Sequence, residues 1–124
     1  MEKAIASHDA DALAACFATD YRSEQPAHPS RAFQGNDRVC DHWRDIFANV
    51  PDIRQQTRAT AVDGDTVWME IVWSGHTRVG QEFEVRGVII ATTRDKQIAA
   101  ARLYVEPLDR SGETLDAVLR RTTS

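Results

Sequence analysis

Asp63-Gly-Asp-Thr-Val-Trp-Met-Glu-Ile-Val-Trp-Ser-Gly75 runs from a turn signal directly into alternating residues, and its reading decides the fold. Asp-Gly between two apolar runs is hairpin chemistry, because glycine takes the positive φ of a tight turn at no steric cost. The residues after it repeat with a period of two, the spacing of a strand with one face on a core. One carboxylate, Glu70, stands among the apolar and aromatic residues of that strand. An ionised carboxylate in apolar surroundings is costly unless it is paired or used, so Glu70 is the first candidate for a functional role.

The same period continues on both sides. It predicts strands at 53–62, 66–74, 82–93 and 97–106, joined by Asp63-Gly-Asp65, a looser turn between Gly75 and Gly80, and Arg94-Asp-Lys96. Connections this short imply an antiparallel meander, and Pro107 ends its last strand.

Before Pro51 the period is helical. Val39, Trp43, Ile46 and Phe47 form an apolar stripe that starts after Gly35-Asn-Asp37 and stops at Val50-Pro51. Pro26-Ala-His-Pro29 is a corner that admits neither helix nor central strand, and Tyr21 to Gln25 is short and extended. Glu2 to Ala18 reads as two short helices broken at Ser7-His-Asp9, with Asp9 capping the second. Glu113 to Arg121 has helical composition but little apolar surface, as expected of a short terminal helix. Helices first and a meander afterwards is an α+β layout, a curved antiparallel sheet wrapped as a cone around the N-terminal helices.

Alternation divides the later strands into faces. Phe83, Val85, Gly87, Ile89 and Ala91 point one way, and Glu84, Arg86, Val88, Ile90 and Thr92 the other. On the last strand Ala99, Ala101, Leu103 and Val105 oppose Ile98, Ala100, Arg102, Tyr104 and Glu106. The more apolar sets should face the helices. Val88, Ile90 and Tyr104 are nevertheless more apolar content than a solvated face usually carries, so the outer face is expected to meet a second copy of the chain.

A chain of 124 residues with 42% hydrophobic content supports one core, hence a single domain over 1–124 with its body at about residues 4–108 and a tail at 109–124. A net charge of -4 without a basic cluster offers no footprint for nucleic acid or an anionic membrane surface. No apolar run approaches the roughly 20 residues of a membrane span, and the N-terminus lacks the pattern of a signal peptide, so the expected location is the cytoplasm. Cys16 and Cys40 each fall on a predicted helix without metal-ligand spacing and are expected as two reduced, mostly buried thiols. No HxxxH or CxxC occurs, so neither a metal site nor a cofactor is expected.

Two helices, Phe17-Ala-Thr-Asp20-Tyr, the proline corner, a Trp-bearing helix, the Asp-Gly-Asp hairpin, the Arg86-Gly87 strand and Arg102-Leu-Tyr-Val-Glu-Pro107 follow one another in an order that resembles the nuclear transport factor 2-like superfamily. The nearest branch is similar to the SnoaL-like group. The resemblance covers about residues 4 to 108 and implies a cone-shaped α+β barrel with an apolar pocket, often a dimer through the outer sheet face. The superfamily includes ketosteroid isomerases, polyketide cyclases, dehydratases, epoxide hydrolases and proteins that only bind. Carried over residue by residue, the active sites mostly fail. The proton-shuttling aspartate of ketosteroid isomerases falls at Gln25, their oxyanion-hole acid near Gly87, and their phenol donor at or before Met1. The Arg and two Asp of limonene-type epoxide hydrolases fall at Trp68, Glu70 and Leu103, which keeps only the middle acid, as a glutamate. The same alignments imply that Tyr21, Ser23, Gln25, Trp68, Glu70, Phe83, Val85, Leu103 and Val105 point into the pocket.

Glu70 keeps two alternatives. In one it is a pocket acid with its pKa raised by apolar neighbours; in the other Val67, Met69, Ile71 and Trp73 face inward and Glu70 pairs with Arg86 or Arg102 outside. His28, between two prolines near the expected mouth, is the second catalytic candidate, against an exposed loop histidine. His42 is expected on the wet side of its helix, and His8 and His76 at turns or edges. Trp43, Trp68, Trp73, Phe47 and Phe83 can wall a pocket or simply fill the core. Arg86, Arg102, Tyr104 and Glu106 form a polar set that can satisfy itself as a structural or interfacial network. Two functional classes follow: a protein that binds a small apolar, polyketide-, steroid- or terpenoid-like ligand without catalysis, and a cofactor-independent lyase, isomerase or cyclase that uses Glu70 as acid or base.

Overall fold

Ser7-His-Asp9 breaks the N-terminal run as its chemistry requires. In a computed structural model that describes residues 1–123, α1 spans Glu2–Ala6 and α2 spans Ala10–Ala14. His8 takes the positive φ of 56° that turns the chain, and Asp9 caps α2, its Oδ1 accepting from the N–H groups of Asp11 at 3.0 Å and Ala12 at 3.1 Å. The His8 Nε2–H donates to the Ile53 carbonyl at 3.0 Å, which anchors this corner to the body of the protein.

The next element starts earlier than its composition indicates. Extended chain was expected from Tyr21, yet β1 spans Phe17–Glu24, with Phe17, Ala18, Tyr21 and Ser23 all buried. A register irregularity between Phe17 and Arg22 breaks the strict alternation, which hides the strand from a period count. After a single tight turn at Pro29–Arg31 come β2 (Phe33–Gln34) and α3 (Asn36–Asn49). The meander follows as β3 (Arg54–Asp63), β4 (Thr66–His76), β5 (Glu82–Arg94) and β6 (Gln97–Pro107), each within two residues of its expected bounds. A last helix, α4, covers Leu115–Thr123; Ser124 of the expected tail lies outside the described residues.

The strands form one six-stranded sheet in the order β2-β1-β6-β5-β4-β3, curved and unclosed. The meander is antiparallel, and β1 joins it by running parallel to β6. Its concave side is covered by α1, α2 and α3, and Ile5, Leu13, Val39, Trp43, Ile53, Ile71 and Ile89 meet there to form the core. Ile5, Leu13 and Ile71 have no exposed surface. Inner pairs across the meander are Met69 with Ile89, Ile71 with Gly87, Ile89 with Leu103 and Ala91 with Ala101. Outer pairs are Trp68 with Ile90, Glu70 with Val88, Val88 with Tyr104 and Arg86 with Glu106. Cys16 and Cys40 are free thiols, both half-buried rather than mostly buried as expected.

At the end of the sheet away from the hairpin tip, the Asp52 carboxylate takes both the His76 backbone N–H, at 2.6 Å, and the His76 Nδ1–H, at 2.8 Å. The side-chain bond from His76 holds the Asp52 carboxyl below the usual carboxylate range. A depressed folded-state pKa contributes stability that is present above the unfolded value, near 3.8, and lost as pH falls through the folded one. The melting temperature of the wild type should therefore fall more steeply below about pH 4 than that of Asp52→Asn, as scanning calorimetry in that window would read. Equal slopes would show that the clamp contributes nothing to acid stability.

Candidate functional site

A cavity of 160 Å³ opens between α3 and the concave face of the sheet. Its walls come from three directions. α3 supplies Val39, Trp43 and Ile46, the meander supplies Met69, Trp73, Ile89 and Leu103, and β1 with β2 supplies Phe17, Tyr21 and Phe33. The aromatic rings brace each other edge to face: Phe17 on Tyr21 at 4.7 Å, Tyr21 on Phe33 at 6.0 Å, and Trp43 on Trp73 at 5.4 Å. Trp73 is also held by its Nε1–H, which donates to Gln55 Oε1 at 2.9 Å.

Tyr21, Ser23, Gln25 and His42 bring hydrogen-bonding N–H or O–H groups to this lining, besides the indole N–H groups of Trp43 and Trp73. The first three alternate on β1 and just beyond it, so the period of two brings them to one wall. Burial pushes the Tyr21 phenol above its usual pKa, with the Ser23 hydroxyl offsetting part of that. At neutral pH Tyr21 is therefore a neutral O–H donor inside an apolar chamber. The His42 imidazole packs edge-on against Phe33, with ring centroids 4.7 Å apart at 89°, and stands half-buried at the rim. No carboxylate is among the lining residues.

Of the residues proposed from the sequence for the pocket, the structure places Tyr21, Ser23, Gln25, Trp43 and Leu103 in this lining. The others lie elsewhere. Phe47 packs behind Trp43 and against His8, Phe83 and Val105 pack on the core, and Val85 is half-buried, none of the four lining the cavity. Trp68 and Glu70 sit on the outer face, Trp68 45% exposed and Glu70 exposed. The physical reason is parity: one face of β4 must be buried, and Met69, Ile71 and Trp73 bury far more apolar surface than Trp68, Glu70 and Val72. Glu70 does not pair with Arg86 or Arg102 either. Arg86 Nε donates to Glu84 at 2.6 Å, and Glu106 is taken by His28 Nε2. His28 thus does not line the cavity, and the set Arg86, Arg102, Tyr104 and Glu106 is exposed on the outer face rather than joined to itself.

His42, expected on the wet side of α3, is the residue that sequence reasoning missed. The signal was there, because position 42 lies three residues after Val39 and four before Ile46 on the stripe that faces the sheet. With Glu70 outside and without an ion pair among the described residues, Glu70→Gln should move unfolding stability by no more than about 0.5 kcal/mol and leave ligand binding unchanged. Urea titration and calorimetry read both quantities. Loss of binding would return Glu70 to the site.

Comparison with solved structures agrees with this fold. A protein with a ketosteroid isomerase-like fold from Catenulispora acidiphila, solved with trimethylamine, superposes with a TM-score of 0.69 at 21% identity, covering 98% of this chain and 90% of that one. An M. tuberculosis epoxide hydrolase of the LEH-like type gives 0.72 at 16% identity over 98% and 86%. IdmH, a candidate polyketide cyclase from Streptomyces antibioticus, gives 0.72 at 19% identity over 85% and 86%. At such identities the likeness shows the fold. No curated protein matches the sequence. Among the described residues no helix is long and apolar enough to cross a membrane, and no cluster of three or more His, Cys, Asp or Glu could hold a metal ion. The SnoaL-like domain model matches residues 1–101, and the chain belongs to that family.

Proposed function

We propose that this protein binds a small, largely apolar molecule in the cavity beneath α3 without transforming it. The observation that carries this reading is the lining itself: apolar and aromatic walls, a few hydrogen-bonding side chains on one side, and no carboxylate. Such a chamber recognises shape and one or two polar atoms. Its volume of 160 Å³ is close to the ~150 Å³ of an engineered cavity that accepts benzene, which favours single-ring or short terpenoid guests over steroids and fused polyketides. In a thermal-shift screen, monocyclic compounds should raise the melting temperature, and Ala101→Leu, which fills part of the cavity, should abolish the shift. No shift from monocyclic compounds, or an equal one from steroids, would overturn the reading.

His42 supports a second reading, a cofactor-independent lyase, isomerase or cyclase. Its imidazole can give or take a proton at a ring nitrogen and stands on the same cavity as the neutral Tyr21 phenol, so one group can move a proton while the other donates to a developing oxyanion. His42 takes the place that the sequence had offered to Glu70. Turnover that vanishes in His42→Gln while binding persists would establish it.

The partner proposed for the outer face is a second copy of the chain. Trp68 and Tyr104 are each 45% exposed there beside Arg86, Arg102, Glu70 and Glu106, a mixture of apolar centre and both charge signs that a two-fold axis can match to itself. A sedimentation mass of one chain would exclude it.

A further inference from the structure

The cavity opens toward a second, more polar depression, and three residues, Gln25, Phe33 and His42, line both. This vestibule adds Ser30, Arg31 and Arg38, and no carboxylate lines it. Arg31 Nη1 donates to Gln25 Oε1 at 3.1 Å, and the Arg38 guanidinium stands 5.8 Å from the centroid of the Phe33 ring. Neither guanidinium has a carboxylate within ion-pair distance among the described residues. Asp37 shares the first turn of α3, but its Oδ1 accepts the Arg38 backbone N–H at 3.0 Å and the residue is not part of the lining. In a chain of net charge -4, two arginines and a histidine gathered without an acid are a local reversal of sign.

We infer that the ligand is an anion-headed small molecule, a monocyclic carboxylate whose apolar body fills the cavity and whose carboxylate lies in the vestibule against Arg31, Arg38 and His42. The inference rests on the binding role proposed above and names the chemical class of its ligand. The geometry divides the labour. The aliphatic and aromatic walls provide area with few polar partners, so they hold a ring or a branched alkyl group, and the planar forks of two arginines hold a carboxylate through charge-assisted bonds. Gln25, bonded to Arg31 and facing both spaces, keeps one donor fork in register with the opening. A cationic guest would meet two uncompensated guanidinium groups, and a neutral one would leave them solvated but unused.

Matched pairs test this by isothermal titration: benzoate with benzamide, phenylacetate with phenylacetamide, and 3-phenylpropionate with its amide. At low salt at least one acid should bind about tenfold more tightly than its own amide. Raising the salt from about 0.05 to 0.5 M should shrink that advantage, because the vestibule is open to water. The double variant Arg31→Gln/Arg38→Gln should bind acid and amide alike while keeping the wild-type affinity for the amide, which also shows that it is folded. If amides bind as well as acids, the inference falls while the binding role stands. If the acids keep their advantage in the double variant, the carboxylate is held elsewhere and the inference falls again. If neither member of any pair binds, both the class of ligand and the binding role are overturned.

Discussion

Gly87→Ala should cost about 3 kcal/mol of unfolding stability and lower the urea midpoint by more than about 1 M. Gly87 stands on the inner face of β5, between Ile71 of β4 and Val105 of β6. A Cβ added there would lie 2.0 Å from the Tyr104 carbonyl oxygen and 2.7 Å from the Val105 Cα. Both obstacles are backbone, so no side-chain rotation relieves the clash, and β5 and β6 must separate at this pair. A midpoint within about 0.3 M of the wild type would show that the two strands have room to part and that the close approach is not a requirement of the fold.

Trp43→Ala should cost about 3–5 kcal/mol, because Trp43 joins the core to the cavity. Only 8% exposed, it packs on Trp73 at 5.4 Å and on Phe47 at 5.6 Å. Its loss removes a large buried area and leaves a void that the stiff sheet cannot close. Trp43→Phe keeps a ring in the same place and should cost clearly less. Urea titration of the two variants orders them. A second effect separates wall from mere filling: the enlarged chamber of Trp43→Ala should admit bicyclic compounds that the wild type refuses, which a thermal-shift assay detects. Equal stability of Trp43→Ala and wild type would mean that α3 is not held on the sheet by this residue.

The architecture was legible because its signals are local and redundant. Asp63-Gly-Asp65 sets a hairpin, Pro107 stops a strand, Asp9 caps a helix, and each of these appears in the structure where the residue types require it. The direction in which a strand faces is a different kind of information. A period of two separates Met69, Ile71 and Trp73 from Trp68, Glu70 and Val72 but says nothing of which set is inside; buried area decides that, and the residues carried over from the resemblance pointed the other way. β1 stayed hidden because its irregular register spoils the alternation between Phe17 and Arg22. The vestibule was invisible for a further reason: Arg31 and Arg38 are ordinary surface residues until the proline corner and the start of α3 bring them to the opening occupied by His42.

The placing of Tyr21, Ser23 and Gln25 on one wall has a consequence for how selectivity can change. Successive same-face positions on a strand are about 6.6 Å apart, so the backbone positions of Tyr21 and Gln25 are separated by about 13 Å. The three side chains are graduations of a ruler laid along the guest, with the deepest marked by a hydroxyl donor, the middle by a small hydroxyl, and the outermost by an amide tied to Arg31. Shifting a polar group along a ligand by one or two bonds moves it from one graduation to the next. A lineage carrying this fold can therefore retune the length of molecule it accepts by substitutions on a single strand, while the apolar walls contributed by α3 and the meander stay as they are.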